Sequence, residues 1–65
     1  MLKWFLHKGA ILGIQGNFDE SILACDKAID LNPILADAWD NKGESLRKRG
    51  NYVEAIQAIK KAIEL

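Results

Sequence analysis

Of the side chains able to move a proton, His7 and Asp26 come nearest to an acid–base pair, the arrangement that shuttles protons in general catalysis. Nothing in the sequence sets a nucleophile beside them, so His7 reads as a surface or groove-lining residue. Cys25 is the only cysteine, which rules out a disulfide within the chain, and no Cys/His spacing resembles a zinc site. It falls at a core position on a helix with no basic neighbour to favour the thiolate, and so reads as a buried, inert thiol. No acid, base, nucleophile or metal set converges. The expectation is a protein with no catalytic residues, no metal, no cofactor and no small-molecule substrate: not an enzyme.

Nine basic and nine acidic residues cancel, so no basic field draws the chain to nucleic acid. Lys3, Trp4, Phe5 and Leu6 superficially resemble the start of a signal peptide, but His7 and Lys8 break the apolar run and no small-residue cleavage site comes after them. No stretch approaches the ~18 uninterrupted apolar residues of a membrane span. The chain is expected to be soluble and cytoplasmic, with no nucleic-acid or membrane partner. At 65 residues it forms one small domain of marginal stability, burying roughly 60% of the surface its unfolded form exposes.

The elements that position these side chains become clear when the sequence is slid along itself. At an offset of 34 residues, Lys8 meets Lys42, Gly9 meets Gly43, Leu12 meets Leu46, Gly16 meets Gly50 and Asn17 meets Asn51. Glu20/Glu54, Ile22/Ile56, Ala24/Ala58, Lys27/Lys61, Ala28/Ala62, Ile29/Ile63 and Leu31/Leu65 also coincide, while Phe5/Trp39, Phe18/Tyr52 and Asp30/Glu64 agree in kind. Each half of each repeat carries apolar residues at three- and four-residue spacing, the mark of a helix. Gly16 and Gly50 suit the left-handed turn that ends a helix. Asn17 with Glu20, and Asn51 with Glu54, then have capping-box spacing for the next helix. Asn32-Pro33 closes the second helix, with proline in the first turn of the third. The expected helices run over about residues 2 to 15, 18 to 31, 34 to 49 and 52 to 65.

Gly9 and Gly43 lie mid-helix, where glycine costs up to about 1 kcal/mol relative to alanine, so a close helix approach is their expected reason, against Ser21 and Ala55. Ala28/Ala62, Ile22/Ile56 and Cys25/Ile59 form the seam of each second helix toward the next repeat. Phe18 and Tyr52 are expected to plug the hairpin corners, and Phe5 and Trp39 to belong to the core.

Taken together, the aromatic, glycine, apolar, Gly-Asn-aromatic, glutamate and alanine positions resemble the tetratricopeptide repeat. They are Phe5, Gly9, Leu12, Gly16, Asn17, Phe18, Glu20, Ser21, Cys25, Ala28 and Pro33, then Trp39, Gly43, Leu46, Gly50, Asn51, Tyr52, Glu54, Ala55, Ile59 and Ala62. Lys8 and Lys42 depart from the usual leucine before glycine, and Ser21 and Cys25 from alanine and an aromatic. The resemblance implies an all-α, α-α superhelical solenoid of two helix-turn-helix units, residues 1–33 and 34–65. These form one module of four antiparallel helices with no C-terminal capping helix.

The role implied is non-catalytic scaffolding, binding a peptide or protein segment in a concave groove lined by the first helix of each repeat. In that register the groove residues are Lys3, Leu6, His7, Ala10 and Ile14 on one wall, and Asp37, Asp40, Asn41, Glu44 and Lys48 on the other. One wall is acidic and the other mainly apolar, which suits a segment carrying apolar and basic residues. The carboxylate-gripping pattern known in the family is unsupported, since Leu6 and Ala10 occupy its places in the first repeat and only Asn41 fits. Leu2, Trp4 and Ile11 at one end, and Ile56, Ile59 and Ile63 at the other, form apolar faces awaiting cover. Because repeats bury their cores against neighbours, the chain is expected either to be cut from a longer protein or to self-associate as a homo-oligomer, by end-to-end stacking or helix exchange. A self-assembling structural unit without a foreign ligand is the alternative reading.

Overall fold

The computed structural model describes residues 1–65. Four α-helices run in succession: α1 (Leu2–Ile14), α2 (Phe18–Leu31), α3 (Ala36–Arg49) and α4 (Tyr52–Glu64). They form two helical hairpins, α1 with α2 and α3 with α4, and α2 packs against α3 to join them. The result is a slab of 28 × 27 × 13 Å.

The two glycines between hairpin helices do what their type allows. Gly16 and Gly50 hold φ of +84° and +96°, conformations in which a Cβ would be strained. The Asn17 amide reaches back to the Leu12 carbonyl at 2.9 Å and the Gly16 amide to Gly13 at 3.2 Å; Asn51 and Gly50 repeat the pattern on Leu46 and Arg47. These crossed bonds satisfy carbonyls that the helix end would otherwise leave free.

Three expectations need correcting. Asn17 and Asn51 occupy the N-cap positions, but neither side chain bonds a backbone amide. The Asn51 side-chain Nδ2 instead donates to Glu54 Oε1 at 3.3 Å, so this asparagine–glutamate pair closes side chain to side chain. The third helix begins at Ala36, because residues from Asn32 form a turn in which the Leu35 amide donates to the Asn32 carbonyl at 3.1 Å. Trp39 Nε1 donates to the Pro33 carbonyl at 2.9 Å and ties that turn to α3. Finally, Tyr52 is exposed and plugs nothing, whereas Phe18 is half-buried.

The core is built from small side chains. Ala24, Cys25, Ala28, Ala38, Leu46, Ala55 and Ala58 are its buried apolar residues, with Ile22 and Trp39 packed on the Leu46, Ala55 and Ala58 cluster. Gly9 and Gly43 are the points of closest approach. A Cβ on Gly9 would lie 2.7 Å from Cys25 Sγ and 3.4 Å from the Ser21 carbonyl oxygen. One on Gly43 would lie 2.5 Å from Ile59 Cγ1 and 3.2 Å from the Ala55 carbonyl oxygen. At such distances a larger residue would force its neighbours to shift, which accounts for glycine in mid-helix.

Candidate functional site

The open cleft between α1 and α3 has a volume of about 180 Å³ and is lined by Gly9, Ala10, Gly13 and Ile14 on one side and Asn41, Glu44, Ser45 and Lys48 on the other. The helical spacing that placed Ala10, Ile14, Asn41, Glu44 and Lys48 together is therefore realised across two helices. Lys3, Leu6, Asp37 and Asp40 do not line this cleft. His7 lies in a separate open recess of about 410 Å³ with Trp4, Lys8, Ile11 and Leu12. Asp37 and Asp40 are exposed on the same helix as Glu44 and add to the negative charge near the cleft.

The cleft exists because its floor is made of small residues. Gly9 and Gly13 leave α1 without bulk where α2 and α3 approach, and a Cβ on Gly13 would come within 3.2 Å of Ser45 Oγ. Beneath the floor, Ser21 Oγ donates to the Gly9 carbonyl at 2.6 Å and is 2.7 Å from Ser45 Oγ. Since the Ser21 proton is committed to Gly9, Ser45 is the donor in the second bond. Both serines are buried, so this relay ties α1, α2 and α3 together and sets the width of the cleft. Sequence reasoning singled out Ser21 as a departure and as the neighbour of Gly9, but gave its hydroxyl no partner and missed Ser45. The available signal was that Ser21 and Ser45 both break the 34-residue repeat, standing opposite Ala55 and Ile11.

Two ion pairs fasten the α2–α3 junction outside the serines: Lys42 Nζ to Asp26 Oδ1 at 2.7 Å and Arg49 Nη1 to Asp19 Oδ1 at 2.5 Å. Asp26 is thus committed to Lys42. Arg47 pairs with Glu44, its Nε 3.0 Å from Oε1, relieving the repulsion that Asp40 and Glu44 create at four-residue spacing. Burial pushes the Cys25 thiol up to about 11, reinforced by the Asp26 charge, while Lys42 pulls the other way. Lys42 is a basic neighbour invisible in the sequence around Cys25, yet desolvation outweighs it and the thiol stays protonated at neutral pH. No group of three or more His, Cys, Asp or Glu residues is placed to hold a metal ion.

The apolar ends divide into spent and open residues. Leu2 and Ile59 are half-buried, Ile59 lying against Gly43. Trp4, Ile11, Ile56 and Ile63 expose 58, 55, 65 and 80% of their surface. Trp4 meets Phe5 edge-on at 5.0 Å and Lys8 sits 4.7 Å from its ring centre.

Two family models, both described as tetratricopeptide repeat, match residues 5–34 and 36–65 and between them span nearly the whole chain. An uncharacterized protein of Methanocaldococcus jannaschii is 40% identical over 45 residues, covering 69% of this chain and 52% of that protein. The chain thus matches about half the length of this curated relative. No helix is long and apolar enough to cross a membrane.

Proposed function

The chain belongs to the tetratricopeptide repeat family, whose repeats generally mediate protein–protein interactions, and from that premise we propose that it is a non-catalytic scaffold binding a peptide or protein segment in the cleft between α1 and α3. The observation that carries this reading is the composition of the cleft. Ala10 and Ile14 offer apolar surface opposite Asn41 and Glu44, with Asp37 and Asp40 exposed farther along the same helix. A segment with an apolar side chain to cover Ile14 and basic residues to meet the α3 carboxylates fits that arrangement, with Asn41 available to hydrogen-bond its backbone. The single thiol, with no partner cysteine in the chain, suits a reducing cytoplasmic setting.

The test is titration of a panel of short basic-apolar peptides by fluorescence anisotropy. Binding should weaken about tenfold in Glu44→Lys and in Asp40→Lys, as expected for reversing a charge at an interface. An absence of binding across the panel, or binding indifferent to both substitutions, would defeat the proposal.

A second reading is homo-oligomerisation, favoured by the exposed Trp4, Ile11, Ile56 and Ile63. Sedimentation equilibrium of the native chain against Ile56→Lys, Ile63→Lys decides it. A defined oligomer lost in the variant supports self-association through the α4 face, and a monomer at every concentration removes it.

A further inference from the structure

The 34-residue repeat allows the buried α2–α3 junction to serve as an internal template for the open faces of α4 and α1. Residues 34 positions apart occupy equivalent places in the two hairpins, and their burial differs where a neighbour is present for only one of them. On the first helices, Ala38 and Ser45 are 0 and 3% exposed, whereas their counterparts Trp4 and Ile11 are open. On the second helices, Ile22 and Ile29 are half-buried, whereas Ile56 and Ile63 are open. The outer face of α4 is therefore the equivalent of the α2 face that α3 covers.

The chemistry of the template shows what such a cover must supply. Within the chain, Asp26 on α2 meets Lys42 on α3. Four residues before Lys42 stands the enclosed Ala38, and three residues after it stands Ser45, hydrogen-bonded to Ser21. These three positions share one helix face. On α4 the place of Asp26 is taken by Lys60 and that of Ser21 by Ala55. The sign of the charge is reversed and the hydroxyl partner is gone.

A second copy stacking its α1 on α4 in this register would bring Lys8 onto Lys60 and set Trp4 where the template encloses only a methyl group. Like charges and overpacking both oppose that contact. We propose that the outer face of α4 docks an amphipathic helix of another polypeptide that carries a small residue, then Asp or Glu four positions on to pair with Lys60, then a small apolar residue three positions later. This rests on the reading of the chain as a protein-binding module, but concerns a face separate from the α1–α3 cleft.

The chain itself can be made to carry the proposed helix. Trp4→Ala, Lys8→Glu, Ile11→Ala places that pattern on α1, at positions that are exposed and so tolerate truncation. Sedimentation velocity of this variant should reveal head-to-tail association about tenfold or more stronger than that of the native chain, weakening with salt. Adding Lys60→Glu should abolish the gain. Lys8→Glu alone, which keeps the native apolar contacts, should give a smaller gain that Lys60→Glu also removes.

Folded variants that gain nothing, or a gain indifferent to Lys60→Glu, would overturn the proposal. So would native-chain assembly lost both on Trp4→Lys and on Ile63→Lys, which would identify a second copy's α1 as the occupant. Peptide binding in the cleft is read separately and is unaffected by Lys60→Glu, so failure of one inference is distinguishable from failure of the other.

Discussion

At the scale of single residues, the protein is held by close approaches and not by large buried side chains. Gly9→Ala illustrates the competition: helix propensity favours alanine by up to about 1 kcal/mol. Overpacking against Cys25 costs typically about 1 to 3 kcal/mol. With a Cβ only 2.7 Å from Cys25 Sγ, the clash should win and urea denaturation should show net destabilisation. Adding Cys25→Ala should recover much of the loss by removing the obstructing sulfur.

The serine relay makes a different prediction. Ser21→Ala strands the buried Ser45 hydroxyl and should cost about 1 to 3 kcal/mol, whereas Ser21→Ala, Ser45→Ala removes donor and acceptor together and should cost less than the sum of the single changes. The thiol also links stability to pH. Its pKa is raised from 9.0 to about 11 by folding, so the unfolded chain releases the proton first. The Cys25 contribution is then complete below about pH 9 and is lost as pH rises through about 11. Denaturation midpoints of the native chain should fall across this window more steeply than those of Cys25→Ala.

At the scale of elements, the helices are set by their ends and fastened by charge. Gly50 has open space around it, so Gly50→Ala meets no clash and should cost only the strain of a left-handed alanine, about 1 to 2 kcal/mol. Gly16→Ala should cost the same for the same reason. Asn51→Ala should cost less than the ~1 kcal/mol of a bonded N-cap, since its side chain reaches Glu54 and not the backbone. Across the α2–α3 junction, Asp26→Lys should destabilise by setting like charges against each other at Lys42, and Lys42→Asp in the same chain should restore stability by exchanging the pair. Because both groups are partly exposed, the coupling measured by the double-mutant cycle should lie within about 1 kcal/mol.

At the scale of the whole molecule, a thin slab of four helices encloses few large side chains, and Leu46 is the one that is buried. Phe5, Ile22, Trp39 and Ile59 are only half-buried. Any partner that covers the open faces adds burial the chain lacks. Thermal midpoints should therefore rise with protein concentration if copies cover each other, or with added ligand if a foreign helix or peptide does so. Ile56→Lys should leave the midpoint of an unliganded monomer nearly unchanged, as its side chain is already in water.

The sequence by itself determined the repeat, the four helices, the glycine turns and the glycine approaches to Ser21 and Ala55. Each of these stems from local periodicity or from a backbone conformation that one residue type tolerates, and both are written in short stretches of chain. It also brought Ala10, Ile14, Asn41, Glu44 and Lys48 into one group, because helical spacing carries a face over several turns. Only the tertiary structure separated Lys3, Leu6, His7, Asp37 and Asp40 from that cleft, exposed Tyr52, moved the start of α3 to Ala36 and joined Ser21 to Ser45. The serine bond and the extent of the cleft depend on how α1 and α2 meet α3, a property of side chains far apart in sequence that no single helix's pattern contains, whereas the start of α3 is set by the local turn from Asn32.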